Sequence, residues 1–172
     1  MTEHQVEQDQ FIGGRWSDIS ENARVWVFTA DRWMDDKDLE VLSHEMTSFT
    51  GDWKAHQVDL KAGWLCWKGR VLLVAVDEEI QEATGCSIDA LTHCMQSVGM
   101  KMGIDWFNRM QVIHQMGSND WVQTPMHEFW ALRKAGRVQD SDFVINALAK
   151  TKGDWQTTGI QQFKDSWHAS MW

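Results

Sequence analysis

The stretch Val71-Leu72-Leu73-Val74-Ala75-Val76 limits most sharply what this chain can fold into. Six consecutive apolar residues, three of them valine, lie between a Lys68-Gly69 turn and the acids Asp77-Glu78-Glu79. A strand with one wet face alternates apolar and polar residues; one that does not alternate is covered on both faces. The fold must therefore place material on each side of it. Gly85-Cys86-Ser87-Ile88-Asp89 follows and opens a helix whose Leu91, Met95, Val98 and Met102 recur at helical spacing. Ser87 is the expected N-cap, and Asp89 meets the positive end of the helix dipole. A strand thus ends in acids, and the loop after it delivers a thiol, a hydroxyl and a carboxylate to a helix start.

The neighbouring segments give this strand its partners. Ala23-Arg24-Val25-Trp26-Val27-Phe28-Thr29 is again apolar at successive positions, and Asp35-Asp36 opens a helix carrying Leu39, Leu42, Met46 and Phe49 on one stripe. Ala62 to Trp67, turned by Lys68-Gly69 into Arg70–Val76, reads as an antiparallel hairpin. A fourth strand is expected at Met110–Gln115 and a fifth around Trp121-Val122. The first four strands and two helices run βαββαβ, which predicts an α+β protein with a ferredoxin-like core: a four-stranded antiparallel sheet with the first and third strands central. Residues 23–116 form that core and 117–172 a C-terminal extension that covers it, with Thr124-Pro125 opening a third helix. Phe143–Leu148 reads as either helix or strand, and the Trp-rich terminus as docked. Residues 1–22 are expected to be a flexible arm, disordered to about Gln10.

Charge and composition exclude several functions. With 25 acidic against 16 basic residues the net charge is -9, which disfavours general binding to nucleic acid or anionic lipid. No apolar run is long enough for membrane insertion, and the polar N-terminus has no leader-like segment. Cys66, Cys86 and Cys94 form neither an even framework nor a CxxC spacing, which fits reduced thiols and a cytoplasmic protein. The 12 tryptophans and no tyrosine point first to core packing, and secondarily to a Trp-rich surface for a protein partner or a homo-oligomer. No phosphate loop, GxGxxG, HExxH or GxSxG occurs, and neither a cofactor nor a metal is expected.

The chemistry-bearing residues gather in two places. Cys86, just before a helix N-terminus, would be favoured as thiolate there, and His93 or His168 could serve as its base. Asp89 and His93, four apart, share a helix face, but one pointing away from the Leu91-Met95-Val98 stripe. The plainer reading makes Cys86 a small apolar side chain, Asp89 a dipole partner and His93 a solvated residue. Thr151 and Lys152 could contact an anion, and Asp165 and His168 could be donated by the terminus to the same site. Ser87 would complete it.

Several short stretches together resemble a known family: Ala23-Arg24-Val25-Trp26 with Ala30-Asp31-Arg32, Trp53-Lys54-Ala55-His56, Leu73-Val74-Ala75-Val76-Asp77-Glu78, Gly85-Cys86-Ser87-Ile88-Asp89, Asn146-Ala147-Leu148 with Thr151-Lys152, and Lys164-Asp165-Ser166-Trp167-His168. Across about residues 23–170 the chain is similar to an uncharacterised family of small bacterial proteins often labelled ABC-transporter ATPase. The resemblance implies that Cys86, Ser87, Asp89, His93, Thr151, Lys152, Asp165 and His168 belong to one pattern. Two functions follow as expectations: a protein-interaction or regulatory module, and alternatively a small enzyme or ligand-binding protein built on those residues.

Overall fold

The computed structural model describes residues 11–117 and 120–171. It is a mixed α and β structure of four helices and antiparallel sheets. The elements run β1 (Phe11–Gly14), β2 (Arg24–Thr29), α1 (Asp36–Asp52), β3 (Lys54–Ala55), β4 (Val58–Asp59), β5 (Lys61–Trp67), β6 (Val71–Asp77) and α2 (Gly85–Met102). They continue with β7 (Gln111–Gln115), β8 (Trp121–Pro125), α3 (Met126–Lys134), β9 (Phe143–Ile145), α4 (Lys152–Thr158) and β10 (Ile160–Gln162). The chain divides into two compact units, one reaching to Phe107 and including Lys150–Lys152, the other made of Asn108–Ala149 and Gly153–Trp172. The disorder expected up to Gln10 lies outside the described residues.

In the first unit β6 is buried along its whole length, as its composition requires. Its even-numbered residues Leu72, Val74 and Val76 join Phe28, Trp64 and Cys66 against Leu42 and Met46 of α1 and Leu91, Met95 and Val98 of α2. Each such side chain taken out of water contributes about 1.5–3 kcal/mol. α1 begins as expected: the Asp35 carboxylate accepts from Asp38 N–H while Asp38 accepts from Asp35 N–H. α2 begins one turn earlier than its sequence suggested. Thr84 is the N-cap, and Ser87, expected in that role, sits at the third helical position and closes a reciprocal cap with it.

The sheet order is β1-β5-β6-β2, all antiparallel. The hairpin and the β2–β6 pairing are as the sequence predicted, but the fourth strand of a ferredoxin-like order is not in this sheet. Its place beside β2 is met by Lys150–Lys152: Val25 N–H donates to Lys150 O, Lys152 N–H donates to Ala23 O, and Arg24 bridges Thr151. At the other end Phe11–Gly14, read as part of an arm, pairs with Trp64–Trp67 and closes the free side of β5. With both edges engaged by these segments, β7 pairs elsewhere.

In the second unit β7 lies between β8 and β9 in the order β10-β9-β7-β8. β7 and β8 are a local hairpin, so this pairing has a short loop to close. Val112, Val144 and Val138 with Phe129 of α3 and Phe163 make its core. Phe143–Ile145, undecided from its length, is a strand.

Gly69 carries φ +60°, and a Cβ there would stand 2.9 Å from the Met34 carbonyl oxygen. Gly136 carries φ +71° with open space around it. Both alanine variants meet the left-handed penalty of about 1–2 kcal/mol. Equilibrium urea unfolding is expected to show a larger loss for Gly69→Ala than for Gly136→Ala, because only the first also displaces a backbone that is hydrogen-bonded to the turn.

Candidate functional site

The helix start at Gly85 is built from the Thr84–Ser87 cap, and that cap consumes Ser87. Its hydroxyl accepts from Thr84 N–H at 2.7 Å and donates to Thr84 O at 2.9 Å, while its carbonyl accepts from the buried Trp53 indole at 2.9 Å. Only 2% exposed, Ser87 has no face left for a ligand. Cys86, Asp89 and His93 are all exposed, the direction helical phase assigned to Asp89 and His93. No hydrogen bond joins Asp89 to His93 among the described residues.

Lys152 also differs from its sequence reading. It is 5% exposed, and Nζ donates to the carbonyl oxygens of Trp16 and Ile19, 2.7 Å each, from a position 5.2 Å over the Trp16 ring. Burial lowers its pKa, with Glu21 and Asp18 opposing that shift. It serves as a clasp holding the 16–19 turn, while Thr151 beside it bridges Arg24. Lys152 and Thr151 are thus placed by the edge of β2.

Asp165 and His168 belong to the second unit, Asp165 exposed and His168 2% exposed. The His168 ring stacks on Trp167 at 3.8 Å between centroids and meets Phe129 edge-on at 5.7 Å. Its Nδ1 and the Trp167 Nε1 are buried without a hydrogen-bond partner among the described residues. Burial, then the nearby His114, lower the His168 pKa to about 4. His114 is itself fully enclosed, with Nδ1 3.0 Å from Gln115 O and Nε2 2.8 Å from the Thr124 hydroxyl. Burial lowers its pKa too, against the Gln115 carbonyl and the Asp142 charge. A neutral His114 that donates from Nδ1 and accepts at Nε2 satisfies both contacts.

The residues singled out from sequence therefore divide by use. Ser87 and Lys152 are structural, His168 is sealed, and Cys86, Asp89, His93 and Asp165 face solvent. None of them lines the depression of about 530 Å³ between Arg133, Lys134, Asp140, Phe163, Lys164 and Ala169. There Arg133 donates to Val138 O and to the Asp140 carboxylate and lies 4.5 Å over the Phe163 ring. Two of the acids after β6 are held by local donors: Asp77 accepts from Lys61 and Glu79 N–H, and Glu78 from Ala83 N–H. Among the described residues no group of three or more His, Cys, Asp or Glu could hold a metal ion.

The residue that sequence reasoning passed over is Arg70. A full charge directly preceding a two-sided apolar strand was the available signal. It is 2% exposed, and burial lowers its pKa to about 10 while Asp31 opposes that shift.

Two measurements follow. Burial raises Cys66 to about 12 and Cys94 to about 11, whereas Cys86 is exposed. Iodoacetamide at neutral pH, read by peptide mass, is expected to label Cys86 first and Cys66 last in the folded chain. For His168 the folded pKa lies below the unfolded value near 6.5, so protons bind the unfolded chain first. Stability is then full above about pH 6.5 and falls towards pH 4, by about 3 kcal/mol from this group. Denaturant midpoints across that window should fall in the wild type and fall less steeply in His168→Phe, where of the two histidines only His114 keeps a pKa lowered by burial.

No family model matches the chain, and neither a curated protein nor a solved structure does; its reading rests on its own residues.

Proposed function

We propose that this chain is a protein-interaction module that binds a second protein chain, in the simplest case a copy of itself, through apolar side chains at one end of its first unit. The observation that carries this reading is the exposure of Trp33 and Phe107, 41% and 40%, together with Met100 at 83%. They share an end: Arg32, beside Trp33, donates to Met102 O near the end of α2, and Phe107 lies edge-on to Phe28 at 6.0 Å. Large aromatic side chains left half in water are the anchors that interfaces use. Trp53, Trp64, Trp67, Trp106 and Trp155 are buried and add nothing to such a surface.

The enzyme reading keeps one observation in its favour, the exposed Cys86 in the first turn of α2. The ATPase label of the resembling family draws no support from the connection between β6 and α2, Glu78-Glu79-Ile80-Gln81-Glu82-Ala83-Thr84, which contains neither glycine nor lysine to cradle a phosphate. Among the described residues no helix is long and apolar enough to cross a membrane. Three unpaired cysteines fit the cytoplasm as the setting for this module.

Sedimentation velocity at rising concentration should show self-association that strengthens with salt, because two copies each carrying a net charge of -9 repel until screened. The double variant Trp33→Ser, Phe107→Ser should sediment as a monomer throughout. A wild type that is monomeric at every concentration and salt would sink the self-association form of the proposal.

A further inference from the structure

Arg70 is held by its backbone: its N–H donates to Trp67 O at 2.9 Å, closing the Lys68-Gly69 turn, and its carbonyl accepts from Ala30 N–H at 2.8 Å. With 2% of its surface exposed, its guanidinium carbon sits 4.6 Å from the centre of the Trp33 ring. Its Nε is sealed from solvent with no hydrogen-bond partner, and no acceptor among the described residues bonds its guanidinium. Asp31 contributes a favourable charge but no ion pair. Even with its pKa lowered to about 10 by burial, the group is a cation at neutral pH.

Folded chains seldom bury a charge with unspent donors, since desolvation is repaid only by a partner with matching geometry. The other buried cation among the described residues obeys that rule: Lys152 has its two carbonyls, and even the part-exposed Arg32 forks onto the Asp38 carboxylate at 2.5 and 3.0 Å and reaches Met102 O. Arg70 stands apart from both. A second donor in the first unit shares its condition: Trp106 is 3% exposed, and its indole N–H is buried without a partner among the described residues. Trp106 packs on Gly99 near the end of α2 and adjoins Phe107, which rests on Phe28, and the β2–β6 register puts Phe28 opposite Leu72, two residues from Arg70.

We propose that Arg70 anchors a binding site for an oxyanion, a carboxylate or a phosphate group, carried on a flat apolar body that rests against Trp33 and Phe107. The planar fork of a guanidinium presents paired N–H groups at the spacing of two oxygens of either anion, so the head group supplies the missing acceptors. The part-exposed rings of Trp33 and Phe107 supply apolar contact for the body, and Trp33, already over the guanidinium, shields the pair from water. This site shares Trp33 and Phe107 with the proposed interface, so a bound anion and a partner chain compete for the same rings, and only the buried Arg70 anchor is peculiar to the small molecule.

The test uses the full chain labelled with 15N and follows the arginine Nε–H resonances while benzoate, phenyl phosphate or the neutral benzyl alcohol is added. The Arg70 signal, identified by its loss in Arg70→Met, is expected to move downfield and saturate with an anion and not with the alcohol. Thermal unfolding should show the midpoint rising with the same anion in the wild type. Arg70→Lys, which keeps the charge without the fork, should lose that rise and would serve alone if the methionine variant failed to fold. A response to benzoate only assigns a carboxylate, to phenyl phosphate only a phosphate, and to both the shared chemistry. A wild-type Arg70 resonance that neither anion moves, or a lysine variant that keeps the full rise in midpoint, overturns the assignment.

Discussion

The burial of β6 on both faces is the constraint on which the first unit depends. A strand with no wet face needs backbone partners on both sides and apolar cover, and its partners and its helical cover come from different parts of the sequence. β5 arrives by the three-residue connection Lys68-Gly69-Arg70, β2 by the α1 crossover, and one apolar layer by α1 and α2. The cost of ordering so much chain is offset only when all of these meet, which makes the unit cooperative.

What was legible in the sequence was what is local. Apolar runs located β2, β5 and β6, helical spacing located α1 and α2, and the same spacing turned Asp89 and His93 outward. The cap of α2 was misread by one turn because Thr84 and Ser87 are both good capping residues and each satisfies the other. The destination of β7 was not legible, since it depends on which sheet edges are free. Those edges are taken by Phe11–Gly14 and by Lys150–Lys152, segments with no strand signal of their own. Lys152 and His168 looked reactive because residue type carries no record of burial, and the acceptors that claim Lys152 lie more than a hundred positions earlier.

The buried polar groups show how differently one chain can treat the same problem. Lys152 is given two carbonyl oxygens, His114 one donor and one acceptor, and Ser87 a reciprocal cap. Each replaces the water it lost, and a replaced water leaves the group little to offer a ligand. Arg70 is the contrast, and its unspent donors are chemically more informative than the exposed thiol and histidine that residue type alone brings forward.

The return of Lys150–Lys152 to the edge of β2 has a bearing on biosynthesis. The sheet of the first unit lacks its last backbone partners and its lysine clasp until position 152 has left the ribosome, by which time Asn108–Ala149 has been made. Sequential folding of one finished unit after another is therefore closed to this chain. An early Val25 N–H without its Lys150 carbonyl is an unpaired strand edge, the kind of surface that chaperones shield, and it persists for as long as the intervening residues take to be translated.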